Sequence, residues 1–240
     1  MYEKLVGGNE LKKIALLFVM FLFPLCVFAT EEADLIKYQS IQQRIDDIGA
    51  KILNANKIEQ RVVFLCSEKD KKAKLHLEKS LTSRQVVLYQ NDYQFIDSDD
   101  EMAAFLSRGV LYAMKTYRGA FNGYISALQI KVSPKKFEFV ADKRAVDFMV
   151  KAGYNPLGLI TFIQKSTPQK RYDKFSGKNL ASKRMAVIYE YIYTRYPYFL
   201  KYNDYLSNEH YQNFLLTSEN NRRLLLQKVK SGSKEELQYE

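Results

Sequence analysis

The sequence has few of the residues on which most catalytic sites depend. It contains only two histidines, His76 and His210, and no tryptophan. Two histidines without partners at catalytic spacing give no basis for a Ser-His-Asp triad, and we find no glycine-rich phosphate-binding loop. The rest of the composition, with 47% hydrophobic and 27% charged residues, is typical of a globular protein. A length of 240 residues fits one domain with extensions or two small domains.

Cysteine is also scarce. Cys26 lies inside an apolar run near the N-terminus, and Cys66 ends the run RVVFLC. If Cys26 is removed with a leader peptide, no intramolecular disulfide can form in the remaining chain. We therefore expect Cys66 to be a small buried residue.

The N-terminus has the pattern of an export signal. Lys12 and Lys13 precede sixteen uncharged, mostly apolar residues, 14–29, which a polar TEEAD sequence follows. A basic start, an apolar stretch and a small residue before a polar segment predict a secretory signal cleaved after Ala29. The alternative is a retained anchor, although sixteen helical residues span only about 24 Å of a hydrocarbon core of about 30 Å. Either reading predicts an exported protein, periplasmic or anchored and facing away from the cytoplasm.

The charge is strongly positive. The whole chain carries +10, of which residues 1–29 contribute a net +1, so that +9 remains without them. Such an excess favours acidic partners, and for an exported protein we expect an anionic membrane surface rather than nucleic acid. The alternative is that the charge serves solubility alone.

Hydrophobic periodicity predicts a mainly helical chain with a small sheet near its front. An amphipathic helix is predicted over 34–57, and the last helix over 206–229. The predicted strands are short apolar or β-branched runs that form a small sheet, or a hairpin with a third strand. These runs are 61–66, 73–77 and 85–90.

The helix predicted over 97–117 has the sequence DSDDEMAAFLSRGVLYAMKTY. Ser98 and Glu101 form an S-x-x-E capping box at its start. A later segment, 137–153, is predicted to be a helix that ends at Gly153, a favourable residue just past a helix end.

Two pieces of these helices, in this order, resemble metallopeptidase family forty-eight. They are EMAAFL at 101–106 and AGYNP at 152–156. The family includes HtpX- and BepA-like proteases and the CAAX prenyl endopeptidase, and the likeness covers about residues 60–190. It implies an α+β, mainly helical zincin-like peptidase domain with a small β-sheet. It also implies a zinc held by an HExxH helix and by a glutamate of the next helix.

The resemblance fails at the chemistry. The first histidine position falls on Arg108, the catalytic glutamate on Gly109, and the second histidine on Tyr112. We place the third-ligand glutamate at Val140, and we expect Glu138, two residues earlier, to point elsewhere. None of these substitutes suits a dication, because Arg108 is a permanent cation and Val140 has no lone pair. We therefore expect no zinc and no other cofactor.

Two residues match the family outside the metal ligands. Asp142 matches a carboxylate that orients a ligand histidine, and Arg184 matches an arginine near the substrate. Without a histidine to orient, Asp142 would be an unexplained buried charge, so we expect Arg108 and Asp142 to form a salt bridge. The alternative is that Arg108 reaches solvent while Asp142 caps a loop.

These expectations define four segments. They are a signal peptide or anchor (1–29), an amphipathic helix (30–59), a metallopeptidase-like domain (60–229) and a flexible tail (230–240). We expect an exported, catalytically inactive protein that binds a protein or peptide in the former substrate cleft, for instance by β-augmentation, or acts as an envelope adaptor. The alternatives are an active zinc endopeptidase with displaced ligands and a purely structural envelope protein. The tyrosine-rich segment 189–206 is expected to pack on the domain, with a membrane-interface role as its alternative.

Overall fold

The computed structural model describes residues 37–67, 84–115, 134–167 and 181–239. The chain divides into two units, residues 1–44 and 45–240. No helix in the described part of the chain is long and apolar enough to cross a bilayer. The predicted signal or anchor lies outside the described residues.

The described residues are mostly helical, with one small sheet, which confirms the α+β class. Residues 37–55 form helix α1, inside the predicted range. The other elements, in chain order, are β1 (Val63–Ser67), β2 (Gln85–Tyr89), α2 (Gln90–Tyr93), α3 (Asp99–Lys115), α4 (Pro134–Lys151), α5 (Leu157–Ser166), α6 (Ala181–Arg195), α7 (Tyr198–Lys201), α8 (Glu209–Thr217) and α9 (Glu219–Ser231).

Strands β1 and β2 pair in parallel, with Val63 opposite Gln85 and Ser67 opposite Tyr89. They occupy two of the three predicted strand runs, and the third run, 73–77, lies outside the described residues. Two parallel neighbours require a crossover between them, so β1 and β2 do not form a hairpin with each other. Cys66 is buried in β1, as expected.

Helix α3 begins with one of the two bonds of the predicted capping box, and the Glu101 carboxylate accepts from the residue before Ser98 in place of Ser98 itself. The backbone N–H of Glu101 donates to Oγ of Ser98 over 3.2 Å, and the N–H of Asp97 donates to Oε2 of Glu101 over 2.8 Å. The Glu101 carboxylate is buried, and Nζ of Lys165 from α5 neutralises it at 2.6 Å. The cap therefore also joins α3 to α5.

Helix α3 is the central element of the second unit. Its residues are buried without interruption from Glu101 to Val110, because it packs against β2, α4 and α5. A helix buried on all sides belongs to the core rather than to the surface. A charged residue on this helix must therefore find its partners inside the protein.

The AGYNP segment forms the turn between α4 and α5. Gly153 adopts a left-handed φ of 77°, and the N–H of Tyr154 donates to the carbonyl of Met149 over 2.9 Å, as in a Schellman helix end. The N–H of Asn155 then donates to Oδ1 of Asp100 over 2.8 Å. The turn is thereby attached to the first turn of α3, and it sets the path of α4 along that helix.

The C-terminal quarter differs from the prediction in one respect. The single helix predicted over 206–229 is two helices, α8 and α9, which meet at the buried Ser218. Oγ of Ser218 donates to the carbonyl of Phe214 over 2.6 Å, and such a local bond competes with regular helix hydrogen bonding. The predicted tail has no regular structure after α9, but Tyr239 is buried and its hydroxyl donates to Glu190 over 2.7 Å.

Candidate functional site

Five side chains from three helices meet where α3, α4 and α6 pack together. Helix α3 contributes Arg108 and Tyr112, which lie one turn apart. Helix α4 contributes Glu138 and Asp142, also one turn apart, and α6 contributes Arg184. Residues four apart on a helix share a face, so each pair points into the same space. We call these five residues the α3–α4 charge cluster.

The Glu138 carboxylate accepts hydrogen bonds from both cluster residues of α3. Nη2 of Arg108 donates to Oε2 of Glu138, and the Tyr112 hydroxyl donates to Oε1 of the same carboxylate. The expectation that Glu138 points elsewhere is therefore wrong. The two positions that a zinc peptidase would give to histidines both face this glutamate.

Val140 does not face the cluster and is 57% exposed to solvent. Two residues along a helix correspond to a rotation of about 200°, so Val140 lies on the side of α4 opposite to Glu138. Val140, the position at which the resemblance places the third-ligand glutamate, therefore points away from Arg108 and Tyr112, and Glu138 faces them instead. The position opposite the α3 pair is occupied by a carboxylate and not by an apolar side chain.

Asp142 is fully buried and lies between two guanidinium groups. Nε and Nη2 of Arg184 donate to its two carboxylate oxygens over 2.7 and 2.8 Å, which is the bidentate geometry of strong Arg–carboxylate pairs. Nε of Arg108 lies 3.0 Å from Oδ1 of Asp142. The expected Arg108–Asp142 salt bridge is confirmed. It is an ion pair without a well-directed hydrogen bond, because this Nε–H has no aligned acceptor among the described residues.

Arg184 belongs to the interior of this cluster. Its side chain is 12% exposed, and Nη2 also lies 3.4 Å from Oε2 of Glu138. The resemblance implies an arginine near a substrate, but here the guanidinium is occupied by two carboxylates of its own chain.

The charges of the cluster balance, since two arginines face two carboxylates. Burial acts to raise the pKa of the Glu138 carboxyl, but the nearby Arg108 and Arg184 guanidiniums outweigh it and hold that pKa below its ordinary value. Burial above all raises the pKa of the Tyr112 hydroxyl. For Arg184, burial acts to lower the pKa, but Asp142 outweighs it and raises the pKa. Glu138 is thus ionised and Tyr112 is neutral at physiological pH.

The apolar surroundings fix the ring of Tyr112. It packs edge-on against the ring of Phe137, with 4.7 Å between centroids, and Nζ of Lys115 lies 4.4 Å from the Phe137 centroid. Ala141 completes this small cluster between α3 and α4. The phenol is therefore held with its hydroxyl directed at Glu138.

Gly109, the position of the catalytic glutamate in the resemblance, packs on the sheet. A Cβ atom built there would lie 2.4 Å from Cγ1 of Val86 in β2, far closer than such atoms approach in proteins. A longer side chain at this position would collide with the strand. Helix α3 therefore approaches β2 on the side where a general base would stand.

The cluster does not fit zinc. The Arg108 guanidinium is bound to Glu138 and Asp142, and Tyr112 is a hydrogen-bond donor to Glu138. A dication needs lone pairs from several ligands, and a fixed cation beside it would repel it. Over the described ranges, no three His, Cys, Asp or Glu side chains are placed to hold a metal ion. His76 lies outside those ranges, and Nε2 of His210 lies 3.3 Å from Oε1 of Glu209.

The tyrosine-rich segment is mostly integrated in the domain. The hydroxyls of Tyr191 and Tyr196 both donate to Oδ1 of Asp147, over 2.8 and 2.7 Å. Tyr198 and Tyr202, in contrast, are 64% and 55% exposed. The packing interpretation therefore holds for part of the segment.

The residue that sequence reasoning missed is Glu138. The available signal was its spacing of four residues from Asp142, which matches the spacing of Arg108 and Tyr112 on the facing helix.

Comparison of the chain with family models, with curated proteins and with solved structures found no match. Functional conclusions therefore depend on the geometry of the cluster.

Proposed function

We propose that this protein is an exported, catalytically inactive relative of the zinc peptidases of family forty-eight, with a zincin-like fold, and that it acts by binding. One observation carries the proposal. Arg108 and Tyr112, one turn apart on a central helix, converge on Glu138 of the next helix. Two residues four apart and a glutamate opposite them form the arrangement of a zincin metal site.

In this arrangement Arg108 supplies the positive charge that a metal would bring. A guanidinium can satisfy carboxylates through several donors at once, and here it contacts both Glu138 and Asp142. It can neither polarise a carbonyl as a Lewis acid nor activate a bound water. Gly109 offers no base, so hydrolysis lacks both of its reactive parts.

The proposed binding partner is a protein or another component of the cell envelope. The excess of +10 over the chain favours acidic partners. A peptide in the former substrate cleft would meet a cluster whose charges are already paired, so we expect the cluster to support the fold and not to contact the partner.

Two assays test the proposal together. The purified chain should leave casein intact with and without added zinc, and it should protect an unfolded client protein from aggregation or retain a partner in pull-downs from envelope extracts. Casein cleavage that a chelator abolishes would support instead an active endopeptidase with displaced ligands, and would overturn the proposal.

The structural envelope protein is the second candidate, and the charge balance of the cluster favours it. An internally compensated buried network stabilises or specifies a fold without contributing to binding. A pull-down that retains no partner, together with no client protection, would favour this alternative over the proposal.

A further inference from the structure

The outer face of helix α9 carries exposed apolar residues among cations. Leu226 is 47% exposed and Val229 is 46% exposed. The four helix neighbours of Leu226, three or four residues away on either side, are Arg222, Arg223, Val229 and Lys230. Val229 is apolar, and Arg223 and Lys230 are exposed cations. Arg222 is turned back onto the domain, where its Nη2 donates to the carbonyl of Leu215 over 2.8 Å.

The inner face of α9 packs against the domain, so the outer face is turned toward solvent. Asn221 and Leu225 are buried, and Nζ of Lys228 donates to Oε1 of Glu190 on α6 over 2.9 Å. Gly232, with a left-handed φ of 64°, ends the helix. Helix α9 is thus anchored by one side, while Leu226 and Val229 remain about half exposed.

Such a face is unusual for a helix that only packs on its own domain. A surface helix normally turns its apolar residues inward and its charged residues outward, whereas α9 places large apolar side chains on both sides. Cations that alternate with exposed leucine and valine are typical of helices that lie in the interface of an anionic bilayer. There the apolar side chains enter the acyl boundary while Lys and Arg reach the headgroups.

We propose that the outer face of α9, formed by the exposed Arg223, Leu226, Val229 and Lys230, docks on an anionic lipid surface. The charge of this face complements that surface, since Arg223 and Lys230 are exposed cations against the single acid Glu219 of the helix. The excess of +10 over the whole chain acts in the same direction. A flat helical face of this kind inserts into a headgroup layer without needing a groove. This inference does not rest on the proposed pseudopeptidase function.

The absence of tryptophan from the chain provides a local reporter. We would place Leu226→Trp in the full chain and add vesicles of phosphatidylglycerol and phosphatidylcholine, with and without brominated acyl chains. The emission should shift to the blue and be quenched by the brominated lipid. Both effects should be weak on pure phosphatidylcholine and should decrease with added salt. Tryptophan suits this position because it is itself enriched at membrane interfaces.

Val140→Trp is the matched control, because Val140 is also exposed but lies on α4. If the N-terminal apolar run alone brought the chain to the vesicle, this reporter would be recruited too, but its emission would stay that of tryptophan in water. An equal response at both positions would overturn the proposal, as would no response at Leu226→Trp. A blue shift that grows with protein concentration without lipid would indicate a second copy on this face and would also overturn it.

Charge reversal tests the electrostatic part. Arg223→Glu with Lys230→Glu, added to the Leu226→Trp chain, should weaken partitioning to anionic vesicles by at least about tenfold. Lys143→Glu with Lys151→Glu changes the net charge equally at exposed positions of α4 and should change partitioning much less. Circular dichroism of each variant checks that the helices remain. Equal losses for the two pairs would show that only total charge matters, and would contradict docking through α9.

Discussion

At the scale of single residues, the two arginines of the α3–α4 charge cluster have different tasks. Arg184 provides Asp142 with two aligned hydrogen bonds, whereas Arg108 shares its guanidinium between Asp142 and Glu138. A buried ion pair adds little net stability compared with an apolar substitute, but removing one partner leaves an uncompensated charge inside the protein. The loss of stability on removing either arginine should therefore depend on how many hydrogen bonds and ion pairs the remaining carboxylates keep.

We predict that Arg184→Met destabilises the protein by about 3–5 kcal/mol, the cost typical of breaking a buried pair. Arg108→Met should cost less, because Asp142 keeps both bonds from Arg184 and Glu138 keeps Tyr112. Arg144→Met is the control, because the Arg144 side chain is 64% exposed and its Nη1 makes a long ion pair of 3.8 Å with Oδ2 of Asp147. This substitution should cost less than about 1 kcal/mol. Urea unfolding of the three variants measures this order, and equal costs at positions 184 and 144 would contradict it.

The pH dependence of stability should carry the signature of Glu138. Its pKa is lower in the folded protein than its ordinary value of 4.5. Its ionised form therefore stabilises the protein above about pH 4.5, and this contribution is lost as the pH falls through the lowered folded pKa. We predict that the stability difference between the natural chain and Glu138→Gln shrinks as the pH falls from 7 toward 3. Urea midpoints across this range measure it, and a constant difference would show that Glu138 is not held in its charged form.

The residues of this cluster could be predicted from the sequence only in part. The Arg108–Asp142 pair was predictable, because a buried carboxylate requires a cation and Arg108 stood where a neighbouring helix would place one. Glu138 was missed because its role depends on the rotation of α4 about its own axis. Two residues along a helix correspond to more than half a revolution. Placing the facing position two residues too late on α4 therefore assigned Val140 to the cluster and turned Glu138 away from it.

At the scale of elements, the side chains that α3 and α4 turn toward each other determine what the site can hold. Each helix presents two side chains one turn apart to the other helix, and Tyr112 and Arg108 span the distance to Glu138. A histidine is shorter than either residue. With histidines at positions 108 and 112, a zinc ion with ligand bonds of about 2 Å on each side would fill the remaining gap to Glu138.

We predict that the double variant Arg108→His/Tyr112→His binds zinc while the natural chain does not. Two histidines four apart and Glu138 would supply three ligands, as in a catalytic zinc site. No peptidase activity should appear, because Gly109 remains and Val86 blocks a longer side chain there. Zinc titration by calorimetry measures the binding.

The matched control adds Glu138→Gln to the two histidines. Losing a carboxylate ligand should weaken zinc binding by at least about tenfold, the effect that even outer partners of a ligand have. If the two variants bind zinc equally, Glu138 does not face the histidine positions and the assigned geometry is wrong. If neither binds, the helices are not set as in a zinc peptidase.

Local signals predicted the elements more reliably than their pairing. The cap of Ser98 on the N–H of Glu101 and the glycine turn at Gly153 follow from short-range chemistry, and both are present. The parallel pairing of β1 with β2 depends on the crossover between them, which periodicity does not encode. The break at Ser218 depends on burial of that residue against Phe214, which amphipathic spacing over 206–229 could not reveal.

At the scale of the whole molecule, charge is divided between interior and surface. Inside, two arginines and two carboxylates balance, and Lys165 compensates Glu101 in the same way. The excess of +10 must therefore be carried by residues outside these balanced interior groups, and the exposed Arg223 and Lys230 of α9 are two of them. The balanced cluster and the basic excess both support the proposal that this protein acts by binding.

The zinc content of the purified full chain tests the central claim most directly. The chain would be expressed with zinc in the medium, purified without chelators, dialysed and analysed by elemental mass spectrometry. Because Arg108 already supplies the positive charge between Glu138 and Asp142, we predict far less than one zinc per chain. One zinc per chain that survives dialysis would contradict the account, and would mean that this protein holds its metal with residues other than those of the cluster.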